Sequence, residues 1–230
     1  MEVSRFELKY LINFAQYSRI AHTIGSALTE DKHNGSMGYL VRSLYFDSYA
    51  NTDFYEKLDG VENRKKVRLR IYSHDAPYVN LELKKKIGNS QEKSTVIISR
   101  EDASDLINCN YDVLTKYESS TASVIYNIMK VNHLRPVVLI EYRRKAFIHP
   151  MNNIRITLDS EIRSSETDFN LLKKDLILNP VEDYYTSIVE IKYNGFIYKW
   201  ITDLVQSNEI TLESYSKYSN ARMLFEKYIA

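Results

Sequence analysis

Apolar and polar residues alternate along much of the chain with the period of a β-strand. Successive side chains of a strand point to opposite faces, so such alternation predicts a strand that buries one face. The pattern occurs in eight segments, at residues 5–10, 41–47, 66–72, 79–84, 95–99, 137–147, 154–159 and 188–193.

Helical spacing of apolar residues occurs between these segments. Residues 13–28 have apolar positions on one face, with Asn13 as the predicted N-cap, and Ser99 with Asp102 resembles a cap for the following helix. Further helices are predicted around residues 124–129, 200–205 and 221–228. Strands separated by only a few helices, without regular βαβ alternation, favour an antiparallel α+β fold. Because no linker or low-complexity run divides the sequence, we expect one domain over residues 1–230.

The alternation sorts charged residues onto the polar faces of five strands. These faces carry Arg5, Glu7 and Lys9; Arg68, Arg70 and Tyr72; Asn80, Glu82 and Lys84; Arg155, Thr157 and Asp159; and Glu190 and Lys192. One interpretation is that each face looks into water and forms cross-strand ion pairs. The other is that the sheet closes and gathers these faces into a cavity for a polyanion and a divalent metal.

Composition and motif content exclude several classes of function. The net charge is +1, from 31 Lys and Arg against 30 Asp and Glu, which argues against a generally basic nucleic-acid binder. No segment is apolar over the length that a membrane span needs, and Cys109 is the only cysteine, so we expect a cytoplasmic protein. The sequence has no Gly-rich phosphate loop, no closely spaced His or Cys metal pair and no nucleophile elbow.

Short motifs in a fixed order resemble the polyphosphate polymerase (VTC) domain, a branch of the CYTH-like triphosphate tunnel metalloenzymes. They are RFELKY at 5–10, SLYFD at 43–47, RLRIY at 68–72, LELK at 81–84, YRRKAF at 142–147, RITLD at 155–159, VEIKY at 189–193 and SKY at 216–218. The resemblance runs through nearly the whole chain. It implies an antiparallel eight-stranded β tunnel with flanking helices.

The resemblance also implies roles for individual residues. Those expected to act on the reacting phosphates are Lys9, Arg68, Arg70, Lys84, Arg144 and Lys217. Those expected to bind the rest of the substrate are Lys93, Tyr142, Arg155 and Ser216, to which strand alternation adds Arg5 and Lys192. Glu190 is the expected metal ligand, and Glu7 and Glu82 are further candidates. The implied metal is Mn²⁺ or Mg²⁺, and the implied substrates are ATP and polyphosphate or triphosphate.

The strand at 137–147 has charges on both faces. Glu141, Arg143 and Lys145 alternate with Tyr142 and Arg144, so a shift of one residue would exchange the two sets. The resemblance selects Tyr142 and Arg144 for the tunnel.

Two positions depart from the patterns of related families. Arg5 stands where triphosphate hydrolases of the wider group begin with a Glu, which favours the polymerase branch. Ser214 replaces a basic residue of the polymerase pattern, which removes one phosphate contact. Three functions therefore remain open: a metal-dependent polyphosphate polymerase, a triphosphate hydrolase, and a binding module without turnover.

Overall fold

The computed structural model describes residues 5–88, 90–183, 185–206, 210, 212 and 214–226. They fall into two compact units. The first unit is drawn from Met1–Leu40, Tyr142–Arg163 and Pro180–Ser216, and the second from Val41–Glu141, Ser164–Asn179 and Lys217–Ala230. The single domain expected over residues 1–230 stays a prediction.

All eight predicted strands are present, together with two strands of two residues each. The bounds are β1 Arg5–Ile12, β2 Thr29–Glu30, β3 Tyr39–Asp47, β4 Arg64–Ile71, β5 Val79–Ile87, β6 Ser90–Ile98, β7 Arg135–His149, β8 Ile154–Ser165, β9 Asn179–Pro180 and β10 Ser187–Asn194. Strand β6 begins five residues before its predicted start because it pairs with the whole of β5, from Val79↔Ile98 to Ile87↔Ser90.

The described residues form six α-helices beside the strands. They are α1 Phe14–Ala27, α2 Thr52–Leu58, α3 Arg100–Ile107, α4 Ser120–Val131, α5 Lys199–Gln206 and α6 Lys217–Glu226. Both predicted caps are confirmed, because the side chains of Asn13 and Ser99 accept hydrogen bonds from Gln16 N and Asp102 N. Helix α6 begins four residues before its predicted start, and the last two predicted positions, 227 and 228, lie outside the described residues. None of the described helices has the length and apolar character to cross a membrane.

In the second unit, the sheet runs β7-β3-β4-β5-β6 and contains residues 135–141 of β7. The pairs β3–β4, β4–β5 and β5–β6 are antiparallel. One face is apolar: Val67, Leu69, Leu81 and Leu83 are buried in a core that also includes Ile125 of α4. The opposite face carries the charged residues, as the alternation predicts.

In the first unit, the order is β1-β10-β8-β7, with residues 142–149 of β7. Strand β10 pairs antiparallel with both β1 and β8. The core combines Ile20 and Ile24 of α1 with Ile156, Val189 and Ile191 of the sheet, all nearly fully buried. In both units the predicted apolar faces of the strands form the core. The fold is α+β with an antiparallel sheet and flanking helices.

The sequence pattern does not predict helix α2, and a buried carboxylate at the end of β3 explains why it forms. Its N-cap residue, Asn51, makes no side-chain capping bond. The fully buried Asp47 takes over this role by accepting hydrogen bonds from Asp53 N at 2.9 Å and Phe54 N at 3.1 Å. Tyr218 of α6 donates a hydrogen bond from its hydroxyl to the same carboxylate. The start of α2 thus depends on the carboxylate at the end of the preceding strand, which a residue far along the chain, Tyr218, holds by a hydrogen bond.

Asp53 makes the second unit sensitive to pH. Its side chain is 1% exposed, Oδ1 lies 3.3 Å from Lys65 Nζ, and buried Oδ2 has no hydrogen-bond partner among the described residues. Burial raises the pKa of Asp53 to about 6, although Lys65 opposes the shift. Because the folded pKa exceeds the unfolded one, the protonated form favours folding. This contribution is complete below about pH 4 and is lost as the pH rises through about 6.

We therefore expect Asp53→Asn to be more stable than the wild type at pH 8, by at most about 3 kcal/mol, and to gain less at pH 5. Urea denaturation at both pH values measures the difference. Asp175→Asn is the control, because Asp175 is an exposed carboxylate of the same unit. An Asp53→Asn gain that is equal at both pH values would contradict the assignment.

Candidate functional site

The polar face of the second unit centres on Glu82, whose side chain is only 2% exposed. Arg68 donates to Glu82 Oε2 from Nε at 2.7 Å, and its Nη2 lies 2.6 Å from the same oxygen. The remaining guanidinium nitrogen, Nη1, donates to the hydroxyl of Tyr45 at 2.9 Å. These contacts follow from the register, which places Tyr45 beside Arg68 and Arg68 beside Glu82.

Two further cations approach the same carboxylate. Lys93 Nζ lies 3.1 Å from Glu82 Oε1, and Arg70 Nη1 lies 3.9 Å from Oε2. Arg70 is oriented by Ser43, whose hydroxyl accepts a hydrogen bond from Arg70 Nε at 2.9 Å. We call this group the Glu82 cluster, made of Ser43, Tyr45, Arg68, Arg70, Glu82 and Lys93.

The electrostatics of the Glu82 cluster are dominated by its cations. Burial by itself would raise the pKa of Glu82, but Arg68 and Arg70 outweigh this effect and bring the pKa down to about 2. Burial likewise opposes ionisation of Tyr45, and the two arginines nevertheless hold the pKa of its hydroxyl below the usual value. Glu82 is therefore an anion at neutral pH. With three cations around one carboxylate, the cluster still has an excess of positive charge.

Lysines extend this polar face along β4 and β5. Lys66 pairs in register with Lys84, and Lys84 pairs with Lys93. The ammonium group of Lys66 lies over the ring of Tyr218, 4.3 Å from its centre. Burial, together with the charges of Lys57 and Lys84, lowers the pKa of Lys66 to about 7. Lys217, the first residue of α6, is half-buried in this unit.

The first unit has a second group of buried charges. Arg144 donates to both carboxylate oxygens of Asp159, from Nε at 2.6 Å and from Nη2 at 2.7 Å, and Asp159 is fully buried. The same Nη2 lies 3.7 Å from Glu190 Oε2. Burial would lower the pKa of Arg144, but Asp159 raises it well above its ordinary value, so the guanidinium keeps its charge.

Lysines and carboxylates alternate on the neighbouring strands of this unit. Lys192 Nζ lies 2.9 Å from Glu190 Oε1 and 3.9 Å from Glu7 Oε2. Lys9 Nζ lies 2.7 Å from Glu7 Oε1. The antiparallel register produces this pattern by pairing Glu7 with Lys192 and Lys9 with Glu190. We call this group the Glu190 cluster, made of Glu7, Lys9, Arg144, Asp159, Glu190 and Lys192.

In the structure, one of the two alternating sets of polar side chains on β7 faces the Glu190 cluster. Tyr142 is 4% exposed and lies under the guanidinium of Arg144 at 5.2 Å, whereas Arg143 is exposed. Arg144 therefore faces Asp159 and Glu190. Tyr142 and Arg144 are the two side chains of this strand that the resemblance selects.

The three glutamates predicted as metal ligands, Glu7, Glu82 and Glu190, have different neighbours. Among the described residues, no group of three or more His, Cys, Asp or Glu side chains could hold a metal ion. Glu7 and Glu190 nevertheless lie on either side of one positive charge, the ammonium of Lys192. A pair of carboxylates completed by water and phosphate oxygens is a donor set that Mg²⁺ and Mn²⁺ accept. Glu7 and Glu190 therefore fit the implied cation, while Glu82 is surrounded by three cationic side chains.

The remaining predicted site residues belong to neither cluster. Arg155 pairs with Asp31 at 3.0 Å and donates to the hydroxyl of Tyr39 at 3.2 Å. Ser216 is half-buried in the first unit. The side chain of Arg5 lies outside the described part of the chain.

Sequence reasoning did not assign site roles to several partners of the clusters. Ser43, Tyr45 and Asp159 occupy positions that strand alternation could have found, because each shares a polar face with predicted residues. Asp31 follows the two-residue strand β2, and no periodic signal in the sequence could have linked it to Arg155.

Comparisons with known proteins agree on the fold. A family model for the VTC domain matches residues 4–225, and no curated protein matches the chain. A putative adenylate cyclase from Bacillus halodurans has a TM-score of 0.55 at 12% identity, covering 93% of this chain and 95% of its own.

A second solved structure has a comparable likeness. It is a putative adenylyl cyclase from Hippeastrum with a dominant triphosphatase activity, and it has a TM-score of 0.55 at 12% identity, covering 97% of this chain and 96% of its own. A likeness at this identity establishes the fold, which is the antiparallel α+β fold of the triphosphate tunnel proteins.

Proposed function

The chain belongs to the VTC domain family, and from this membership and the two charge clusters we propose that it is a metal-dependent polyphosphate polymerase. It would transfer the γ-phosphate of ATP to the end of a growing polyphosphate chain. ATP use and the single cysteine also favour a cytoplasmic location. The observation that carries the proposal is the Glu82 cluster, in which three cations converge on one buried carboxylate.

Such an excess of positive charge favours a polyanion. Cations brought together away from water repel one another, and phosphate oxygens relieve this repulsion while accepting charge-assisted hydrogen bonds. Arg68 and Arg70 present planar guanidinium groups that suit phosphate. Glu82 holds the guanidinium of Arg68 through two nitrogens before any ligand arrives. Positioning of this kind lowers the cost of organising the site when phosphate binds.

In the first unit, Glu7 and Glu190 would hold the metal. When bound, a divalent ion supplies positive charge that stabilises the transferring phosphoryl group. The ammonium of Lys192, which lies between the two carboxylates, would then be released to contact phosphate oxygens. Arg144, kept charged by Asp159, would add a further phosphate contact.

The proposed reaction needs no protein nucleophile. A terminal oxygen of the polyphosphate chain forms a bond to the γ-phosphorus of ATP, and the bond from that phosphorus to the β–γ bridging oxygen breaks. ADP leaves with the electron pair, and the chain grows by one phosphate. The cationic side chains bind and align the reactants and stabilise the developing charge, which is where most catalysis of phosphoryl transfer arises.

A triphosphate hydrolase is the second candidate. The Hippeastrum protein with the same fold has a dominant triphosphatase activity, and the same cations would serve a reaction in which water replaces the polyphosphate end. A module that binds polyphosphate without turnover is the third candidate, because the clusters would bind the anion in either case.

Product analysis tests the proposal. The purified protein is incubated with ATP and Mn²⁺ or Mg²⁺, and the products are resolved on a gel for polymer and assayed for free phosphate. We expect polymer and ADP in amounts that balance, with no product after chelation of the metal. Free phosphate without polymer would establish the hydrolase instead. Tight triphosphate binding without either product would establish the binding module.

A further inference from the structure

The hydroxyl of Thr157 is a buried polar group that the proposed function does not use. Thr157 is 3% exposed, and its Oγ1 has no hydrogen-bond partner among the described residues. A buried hydroxyl without a hydrogen bond costs free energy, so such groups are few in native proteins and call for an explanation. Valine would fill nearly the same volume without this cost. A partner that the hydroxyl gains in another state of the site would explain why threonine stands here.

Strand register places Thr157 beside the Glu190 cluster. The residues on either side of it, Ile156 and Leu158, are fully buried in the apolar core, so Thr157 lies on the polar face of β8. It is directly opposite Glu190 of β10. The Cβ atoms of such a pair are about 4.5–5.5 Å apart, a separation that a hydroxyl and a carboxylate bridge by rotation of their side chains. Glu190 is therefore a carboxylate within reach of the hydroxyl.

The polar residues that flank Thr157 on its own strand already have partners. Asp159, two residues further along, accepts hydrogen bonds from Arg144 at both of its carboxylate oxygens. Arg155, two residues before Thr157, forms an ion pair with Asp31 at 3.0 Å. Neither side chain needs the hydroxyl of Thr157, which leaves the residue on the opposite strand as its most suitable partner.

Glu190 has one partner that the proposed function would remove. Lys192 Nζ lies 2.9 Å from Glu190 Oε1, whereas Arg144 Nη2 lies 3.7 Å from Oε2, beyond the usual hydrogen-bonding distance. The side chain of Lys192 is 28% exposed and that of Glu190 is 9% exposed, so the ammonium can move towards solvent while the carboxylate stays in place. Once Lys192 gives way to a divalent cation, the carboxylate loses this hydrogen-bond donor.

We propose that Thr157 is a positioning residue for the metal site: when Lys192 leaves, its hydroxyl donates a hydrogen bond to the Glu190 carboxylate and fixes the orientation of that ligand. Thr157 would act through Glu190 and contact neither the cation nor phosphate. Carboxylates that bind metals are themselves hydrogen-bonded, and loss of such a partner typically weakens metal binding by about tenfold to a hundredfold. This inference rests on the proposed function for the presence of the cation, whereas the burial of Thr157 and its pairing with Glu190 are features of the fold.

Two substitutions separate the hydroxyl of Thr157 from its methyl group. Thr157→Val removes the hydroxyl and keeps the shape, whereas Thr157→Ser keeps the hydroxyl and removes a buried methyl. We expect Thr157→Val to bind Mn²⁺ about tenfold or more weakly than the wild type, and Thr157→Ser to bind it within about threefold. Calorimetric titration of the full chain with Mn²⁺ alone measures these affinities. Binding of tripolyphosphate without metal should be unchanged in both variants.

Thermal unfolding without metal should rank the two variants in the opposite order. Thr157→Val should be at least as stable as the wild type, because a buried hydroxyl without a partner is gone. Thr157→Ser should be less stable, because a buried methyl is lost. If Thr157 served only to pack the sheet, Mn²⁺ affinity would follow stability instead.

Ser164→Ala is the matched control. Ser164 lies on the same strand, and its buried hydroxyl likewise has no hydrogen-bond partner among the described residues. It belongs to the second unit and not to the Glu190 cluster. Loss of this hydroxyl should leave the affinity for Mn²⁺ unchanged.

The outcomes separate this inference from the proposed function. Weaker Mn²⁺ binding in Thr157→Val, with near-normal binding in Thr157→Ser and Ser164→Ala, supports the positioning role even if no polymer is formed from ATP. Wild-type Mn²⁺ affinity in Thr157→Val overturns it, and so does an equal loss in Thr157→Ser or in the control. A wild-type chain that binds no Mn²⁺ overturns it as well. Polymer formation from ATP in any of these cases would leave the proposed function in place.

Discussion

Glu190→Gln is expected to lose metal-dependent turnover by at least about a hundredfold, because a bound metal supplies several kcal/mol of charge stabilisation. The amide keeps the size and hydrogen-bonding capacity of the side chain but removes the charge that holds a hard cation. Triphosphate binding without metal should be retained or strengthened, since a negative charge beside Arg144 and Lys192 has gone. Steady-state turnover against Mn²⁺ concentration, together with calorimetric binding of tripolyphosphate, measures both effects.

Glu30→Gln is the control, because Glu30 is an exposed carboxylate of the same unit. It should leave the Mn²⁺ dependence unchanged. The competing interpretation is that Glu190 serves only as an ion-pair partner of Arg144 and Lys192. In that case Glu190→Gln would lower the unfolding free energy while turnover keeps its normal metal dependence, and this result would remove Glu190 from the metal site.

Arg70→Ala is expected to lower turnover and triphosphate affinity by roughly tenfold to a hundredfold, with little change in stability. Removal of one charge-assisted phosphate contact costs about 1.5–3 kcal/mol. Arg70 lies 3.9 Å from Glu82, so its loss leaves the closer partner, Arg68, in place. The apolar side chains on the opposite face, such as Leu69 and Ile71, remain packed.

Arg68→Ala should combine the same functional loss with a loss of stability. Arg68 is the closest cation to Glu82, and truncating one member of a buried ion pair costs on the order of 3–5 kcal/mol. Glu82→Gln with Arg68→Ala should recover part of the stability, because the buried carboxylate that lost its closest partner is gone, but it should not recover turnover. Chemical denaturation and phosphate-binding assays on the single and double variants separate the two contributions. Normal turnover in Arg70→Ala would exclude the Glu82 cluster as the phosphate site.

Strand alternation predicts which residues are buried but not which residues meet. Val67 and Leu69 were expected on the core face of β4 and are there, because the two-residue period holds whatever the neighbouring strand. Arg42, by contrast, is a charged residue of β3 and is 1% exposed. Its guanidinium pairs with Glu141 and donates to the carbonyl of Leu171 at 3.0 Å. These partners are about a hundred residues away or more, and no local pattern identifies them.

The orientation of the side chains on β7 is another feature of the candidate site that local sequence patterns do not predict. Its polar residues alternate in two sets, and hydrophobic periodicity cannot choose between faces that both carry charge. Pairing with the fully buried Asp159 places Arg144 on the same side as Glu190 and leaves Arg143 exposed. Alternation on β8 predicted Asp159 on a polar face, but its use as the partner of Arg144 required the tertiary structure.

The sequence by itself determined the antiparallel strands, the apolar face of each, the capped starts of α1 and α3, and the family. These features depend on local periodicity and side-chain chemistry, which are written in consecutive residues. Only the tertiary structure decided that Glu82 has three cationic neighbours, that Lys192 lies between Glu7 and Glu190, and that Asp47 accepts a hydrogen bond from Tyr218. Strand register and long-range packing set these contacts, because side chains distant in sequence become neighbours only when the sheet forms.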